Sequence, residues 1–122
     1  MLVSDKVNVL VFWSVDCGHC RVSLPELNAW LKTHHEGFNV ISAAGVNSEA
    51  LKAKTREFCD LNGFVFPTLV DTDLQIAGMF RVTSTPTIVI IRPDGVIDSV
   101  LLSADKKIGE KLEKKRAELI AG

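Results

Sequence analysis

Phe12-Trp13-Ser14-Val15-Asp16-Cys17-Gly18-His19-Cys20 decides the reading of this chain, because it closes an apolar run and opens a helical pattern. Two cysteines three positions apart become neighbours on one face once they enter the first turn of a helix. That brings them within reach of a disulfide, which needs Cα atoms about 4.4–6.8 Å apart. The unpaired N–H groups and positive dipole end of such a turn also favour a thiolate over a thiol. A Cys-x-x-Cys so placed, beside a βαβ pattern, is the signature of a thiol–disulfide exchange site. The other uses of such a pair are a static disulfide or half of a zinc site. Zinc takes four ligands, usually from a second Cys-x-x-Cys or a spaced His pair. Cys59, His19 and the adjacent His34-His35 do not supply that spacing, so no metal is expected. Arg21 stands where attachment of c-type haem needs a histidine.

Working outward, Val7 to Ser14 is rich in Val, Leu, Phe and Trp without clean alternation, which suits a strand buried on both faces. From Cys17 to about Thr33, Val22, Leu24, Leu27, Trp30 and Leu31 recur at helical spacing. Pro25 interrupts them, and a mid-helix proline costs about 3 kcal/mol and kinks the axis. Phe38 to Ala44 reads as a second strand. Asn47 or Ser48 then caps a helix that runs to about Asn62 and stops at Gly63. Phe66 to Asp71 is a short extended piece, and Asp71 to Phe80 a brief helix. Thr87 to Arg92 is a β-branched strand. Pro93-Asp94-Gly95 turns it, and Val96 to Leu102 returns antiparallel. About Asp105 to Ala121 is an amphipathic helix with Ile108, Leu112, Leu119 and Ile120 inward and Gly109 weakening its first turns. The order βαβα(short β)αββα predicts a single α/β domain over 1–122, with helices on both faces of the sheet.

Composition narrows the function. A chain of 122 residues, 47% hydrophobic and 24% charged, is an ordinary globular domain with room for a core. A net charge of −1 gives no polybasic surface for nucleic acid or anionic membrane. Three cysteines are too few for a disulfide-dense secreted scaffold, and the Cys17/Cys20 pair leaves Cys59 over. No apolar stretch approaches a membrane span, and no signal peptide precedes the first strand. Two alternatives stay open here, a complete cytosolic protein and a fragment without its leader and N-terminal elements. Cys59 reads as a small core or boundary residue, with a regulatory disulfide as the other reading. His34-His35 reads as capping or plain exposure at a helix end.

The element order, with Phe12-Trp13 before the Cys-x-x-Cys and Thr85-Pro86-Thr87 before the late strand, resembles the thioredoxin superfamily. Three features are similar to its TlpA/ResA-type branch of thiol–disulfide oxidoreductases. They are Ile41 to Asn47 with the extra helix that follows, similar to an inserted βα unit, the stretches Gly63 to Asp71 and Phe80 to Thr87, and the turn Arg92-Pro93-Asp94-Gly95. The resemblance covers nearly the whole chain from Val7 onward. It implies a three-layer α/β/α sandwich with a central mixed sheet. It implies Cys17 as the exposed attacking thiol and Cys20 as the buried resolving thiol. Pro86 would be a cis-proline facing them, and Thr85 would offer its backbone to an extended substrate. Pro25 falls where the family kinks its first helix.

The chain departs from that pattern at Val11, where thioredoxins keep a buried acid, and at Ser23, where some TlpA/ResA-like members carry a glutamate. The family's N-terminal hairpin is also missing. His19, Asp16 and water remain near Cys20 as proton acceptors. His19 is also expected to tune the potential upward with Gly18 and Asp16, since its cationic form would stabilise the Cys17 thiolate. Trp13 is expected as a packing platform under the loop, a role that can coexist with substrate contact.

The resulting expectation is exchange through a mixed disulfide at Cys17, with no cofactor. The expected partners are protein dithiols or disulfides and a redox partner protein, met by a monomer. The alternative is a redox-inert binding module with a static bridge. The resemblance alone points to an extracytoplasmic location and to apocytochrome c reduction in cytochrome c biogenesis; the cytoplasm stays open.

Overall fold

The computed structural model describes residues 2–102 and 107–120. Five strands form one mixed sheet in the order β3-β2-β1-β4-β5. The central strand β1 (Val7–Trp13) runs parallel to β2 (Phe38–Val46), with Val7 opposite Phe38 and Trp13 opposite Ala44. β2 continues parallel into β3 (Thr68–Thr72), while β4 (Thr87–Ile91) lies antiparallel on the other side of β1. β5 (Ile97–Leu101) closes the hairpin with an irregularity at Ile90/Ile91. Every residue of β1 but Leu10 is buried, which accounts for its lack of polar alternation.

The pleat sorts β1 between two cores. Val7, Val9, Val11 and Trp13 face one cluster, shared with α1 (Gly18–His34), α2 (Glu49–Asn62) and α4 (Ile108–Ile120). Phe12, with Ala43 and Val89, faces the smaller cluster under α3 (Gln75–Met79). The sheet thus carries helices on both faces, unevenly: three on one side and a single five-residue helix on the other. In α1 the stripe is Leu24, Leu27 and Leu31, all fully buried, each burial worth about 1.5–3 kcal/mol. Val22 departs from the expected stripe and is 60% exposed. At 3.6 residues per turn it lies on the far side of the helix from Leu24.

Ser48 accepts the Leu51 N–H and so caps α2, and Gly63 stops it in the left-handed region at φ 57°. β3 starts at Thr68 rather than Phe66, because Pro67 has no N–H to pair; its carbonyl accepts the Ser42 N–H instead. α3 begins only at Gln75. Asp71 belongs to β3, and its buried carboxylate accepts the N–H groups of Ile76 at 2.7 Å and Ala77 at 2.9 Å. Gly109 serves packing rather than weakening α4. A Cβ there would lie 2.5–2.8 Å from three atoms of the Trp30 ring. The expected helix ends at Asp105 and Ala121 lie outside the described residues.

Candidate active site

Cys17 occupies the N-cap of α1 with extended backbone (φ −84°, ψ 112°). Its sulfur accepts the Cys20 N–H at 3.2 Å, the position usually filled by a Ser or Asp oxygen. The Cys17 thiol also donates to the Thr85 carbonyl at 3.5 Å, which ties the motif to a loop 68 residues away. The Thr85–Pro86 peptide is cis, and Pro86 is buried while Thr85 is exposed. Thr87 holds that loop by donating its hydroxyl to the Ser84 carbonyl at 2.7 Å. Cys17, Cys20 and Cys59 are all free thiols.

The two motif sulfurs differ in environment. Burial pushes the Cys17 thiol up. Hydrogen bonds from the Cys20 thiol, the Thr85 side chain and the N–H groups of Cys20 and His19 outweigh that and bring it below an ordinary thiol. Cys20 has no exposed surface, and burial followed by its bond to Cys17 pushes it up to about 12. A dithiol of this kind presents one ready nucleophile and one reserve thiol.

Of the residues expected here, Gly18 begins the helix and is exposed. His19 is exposed, and its backbone N–H is what reaches Cys17. Asp16 points outward to Lys54 Nζ at 2.9 Å, with 59% of its side chain exposed. Among the described residues no carboxylate or imidazole hydrogen-bonds the Cys20 sulfur. Val11 is apolar and fully buried, and the buried Ser23 hydroxyl has no partner.

Trp13 is 1% exposed, so its side chain is a platform. It packs on Phe58 and Phe64 at 5.7 and 5.9 Å and donates its indole N–H to Ser42 Oγ at 3.1 Å. Ser42 in turn meets Thr68, to which Cys59 donates at 3.7 Å, so Cys59 belongs to this half-buried polar chain. Arg21 braces the loop from outside, over the Phe58 ring at 4.8 Å and onto the Val15 carbonyl at 3.1 Å. His34 stacks on Trp30 at the far end of α1, away from the motif. Among the described residues no group of His, Cys, Asp or Glu is placed to hold a metal, and no helix is long and apolar enough to cross a membrane.

A cleft of about 580 Å³ opens beside the motif, outside the carboxyl ends of β1 and β2. Ser14, Asp16 and Thr85 form its near side and Gly45, Asp73 and Leu74 its far side. Open α/β sheets place ligands at this end. The sequence did not disclose the far side. Asp73 and Leu74 both hold left-handed backbone, at φ 55° and 58°, without a glycine to mark the turn.

A central mixed sheet with a redox-type dithiol at the first helix N-terminus defines a thioredoxin-like α/β fold. The chain belongs to the AhpC/TSA family, whose model matches residues 2–100. A thioredoxin-like protein of Haemophilus influenzae is 31% identical over 90 residues, 74% of this chain and 51% of that one. The thiol-disulfide oxidoreductase ResA of Bacillus subtilis is 28% identical over 93 residues, 75% of this chain and 50% of that one. The chain therefore spans about half the length of these curated relatives. Among solved structures, a secreted Mycobacterium tuberculosis disulfide oxidoreductase superposes with a TM-score of 0.78 at 22% identity. That match covers 96% of this chain and 84% of the other.

Proposed function

We propose that this protein is a thiol–disulfide oxidoreductase acting on protein thiols through Cys17. The observation that carries the reading is the asymmetry of the two thiols: Cys17 is half-buried, capped by N–H donors and lowered, whereas Cys20 is sealed and held near 12.

In the reductive direction, the Cys17 thiolate forms a bond to one sulfur of a substrate disulfide. The other substrate sulfur leaves as a thiolate and takes a proton from water. Cys20 then gives up its proton and attacks the Cys17 sulfur. The Cys17–Cys20 disulfide forms, and the second substrate sulfur departs and is protonated. The protein has lost two electrons and two protons, and the substrate has gained them. The oxidised protein runs the same steps backward with a dithiol partner. The Thr85 carbonyl lies 3.5 Å from the Cys17 sulfur, and the Cys20 proton passes to water while the departing sulfur is protonated from water. Pro86 and the Thr85 backbone would bound the approach of an extended substrate, with His19, Gly18 and Asp16 shaping the rim. Trp13 acts from below.

The single sheet with its helices works as one domain, and we place it as a monomer outside the cytoplasm. The secreted M. tuberculosis relative by structure supports that location. Dithiothreitol-driven turnover of a protein disulfide tests the reading. Wild type should cycle, Cys17→Ser should be inert, and Cys20→Ser should accumulate a mixed disulfide at Cys17. A wild-type protein that does not cycle would instead be a binding module with a static bridge.

A further inference from the structure

We propose that the cleft beside Cys17 reads the residues flanking a substrate's reactive cysteine, and that Leu74 sets a preference for a bulky aliphatic neighbour. This rests on the oxidoreductase reading above. The cleft reaches Asp16 and Thr85, the residues that flank and hydrogen-bond Cys17, so a segment whose cysteine meets Cys17 can lay the residues on one side of it there. At about 580 Å³ it lies within the range of sites that enclose whole small molecules, and exceeds one side chain.

Its walls are apolar where a side chain would enter, with Leu51, Leu74, Ala77 and Val82 among them. Leu74 is 57% exposed, an uncovered aliphatic group on a wall already fixed in place. The fixing is specific. Leu74 sits in the left-handed region; its N–H goes to the Asp71 carbonyl at 3.2 Å, and the N–H of the preceding Asp73 goes to the Val46 carbonyl at 3.0 Å. Across from it, Gly45 leaves room for the side chain, since a Cβ there would lie 2.6 Å from Leu74 Cδ2. Leu74 is a non-glycine residue held in a disfavoured conformation, at a cost of about 1 kcal/mol or more, with a glycine opposite and an open face. At the rim, Asp16 is paired with Lys54, and the Asp73 carboxylate has no partner among the described residues. The occupant is thus an extended segment of a protein substrate with an aliphatic residue next to its cysteine and no acidic flank.

Two peptides test this, identical except for Leu or Ser next to the cysteine, each carried as its glutathione mixed disulfide. Cys17 bonds to the peptide sulfur and glutathione leaves as a thiolate that takes a proton. Cys20 then displaces the peptide thiol and leaves the protein disulfide. The readout is the ratio of the two second-order rate constants within each protein, so a general change in activity cancels. Wild type should favour the Leu peptide by about 10-fold or more, the scale of hydrophobic pocket discrimination. Leu74→Asn, which tolerates left-handed backbone, should bring the ratio near one. Gly45→Ala is a second variant with Leu74 intact; its Cβ would lie 2.6 Å from the far end of that flexible side chain and displace it, with the Trp13 carbonyl at an ordinary 3.8 Å, so the ratio should also fall. A wild-type ratio near one, or a ratio unmoved in both variants, overturns the inference alone. If wild type oxidises with neither peptide, the oxidoreductase reading falls and the inference with it.

Discussion

Limiting alkylation of the fully reduced protein at pH 7 should mark Cys17 and leave Cys20 and Cys59 essentially untouched. The size of the effect follows from the two environments. A thiol held near 12 is ionised at pH 7 to roughly one part in 10⁵, whereas an unperturbed thiol near 8.5 is about 3% ionised. Cys17 lies below an ordinary thiol, so it is ionised further still. Against this, a more basic thiolate is the better nucleophile. With a Brønsted slope of about 0.4–0.5, that returns a factor of roughly 40 to Cys20. The remaining selectivity is about 10² before steric exclusion of the fully buried sulfur is counted. Burial also pushes Cys59 up, so it too is less ionised at pH 7 than an ordinary thiol. Substoichiometric iodoacetamide, acid quench and peptide mapping by mass spectrometry give the ratio directly. Repeated from pH 5 to 9, labelling of Cys17 should rise with pH and level off below the range of a free thiol, because its ionised form persists to lower pH. Labelling of Cys20 or Cys59 within tenfold of Cys17, or a Cys17 midpoint above an ordinary thiol, would refute the assignment of the nucleophile.

Four further outcomes test the scaffold. Cys20 keeps its proton in the folded protein up to about 12 but loses it near 8.5 when unfolded, so stability present below about pH 8.5 is lost as pH rises toward 12. The full loss is on the order of 5 kcal/mol, and urea unfolding at pH 8 and 10.5 should show its onset in wild type but not in Cys20→Ala. Gly109→Ala drives a Cβ into the rigid Trp30 ring and should cost about 1–3 kcal/mol in the same assay; an unchanged midpoint would contradict the packing. Asp71→Ala removes the acceptor of two helix N–H groups and should cost about 2 kcal/mol, with hydrogen-exchange protection of Ile76 and Ala77 lost first. Ser23→Ala removes a buried hydroxyl without a partner and should stabilise by about 1 kcal/mol; a loss of similar size would mean that the hydroxyl is satisfied.

What could be read in the sequence was whatever local spacing determines. The cysteine pair, the Ser48 cap, the Gly63 stop and the hairpin turn each act within a few residues, so each leaves a pattern in the order of the chain. The element order followed, because only a few topologies join such elements without crossing. The features that escaped are those in which a residue answers to something distant. Gly109 looks like a helix defect until Trp30, 79 positions away, is brought against it. Asp71 looks like the mere junction of an extended piece and a helix until its carboxylate is found under the α3 N–H groups. Val22 looks like core because it is an apolar residue in the run of Leu24, Leu27 and Leu31, and only the facing sheet shows that it lies on the other side of the helix. The site divides along the same line. Cys17 and Cys20 announce their chemistry by type and spacing, but what separates their proton affinities is the deeper burial of Cys20 and the bond between the two thiols, which raises Cys20 and lowers Cys17. The loss of both acids at Val11 and Ser23 removed the residues that a pattern would have named for proton transfer. What stands near the Cys17 sulfur instead is the Thr85 carbonyl and the Cys20 N–H, which a pattern of charged residues does not reveal. Burial raises both thiols and hydrogen bonds outweigh it at Cys17 alone, so the difference between the two would narrow with any displacement of the loop that lets water reach Cys20.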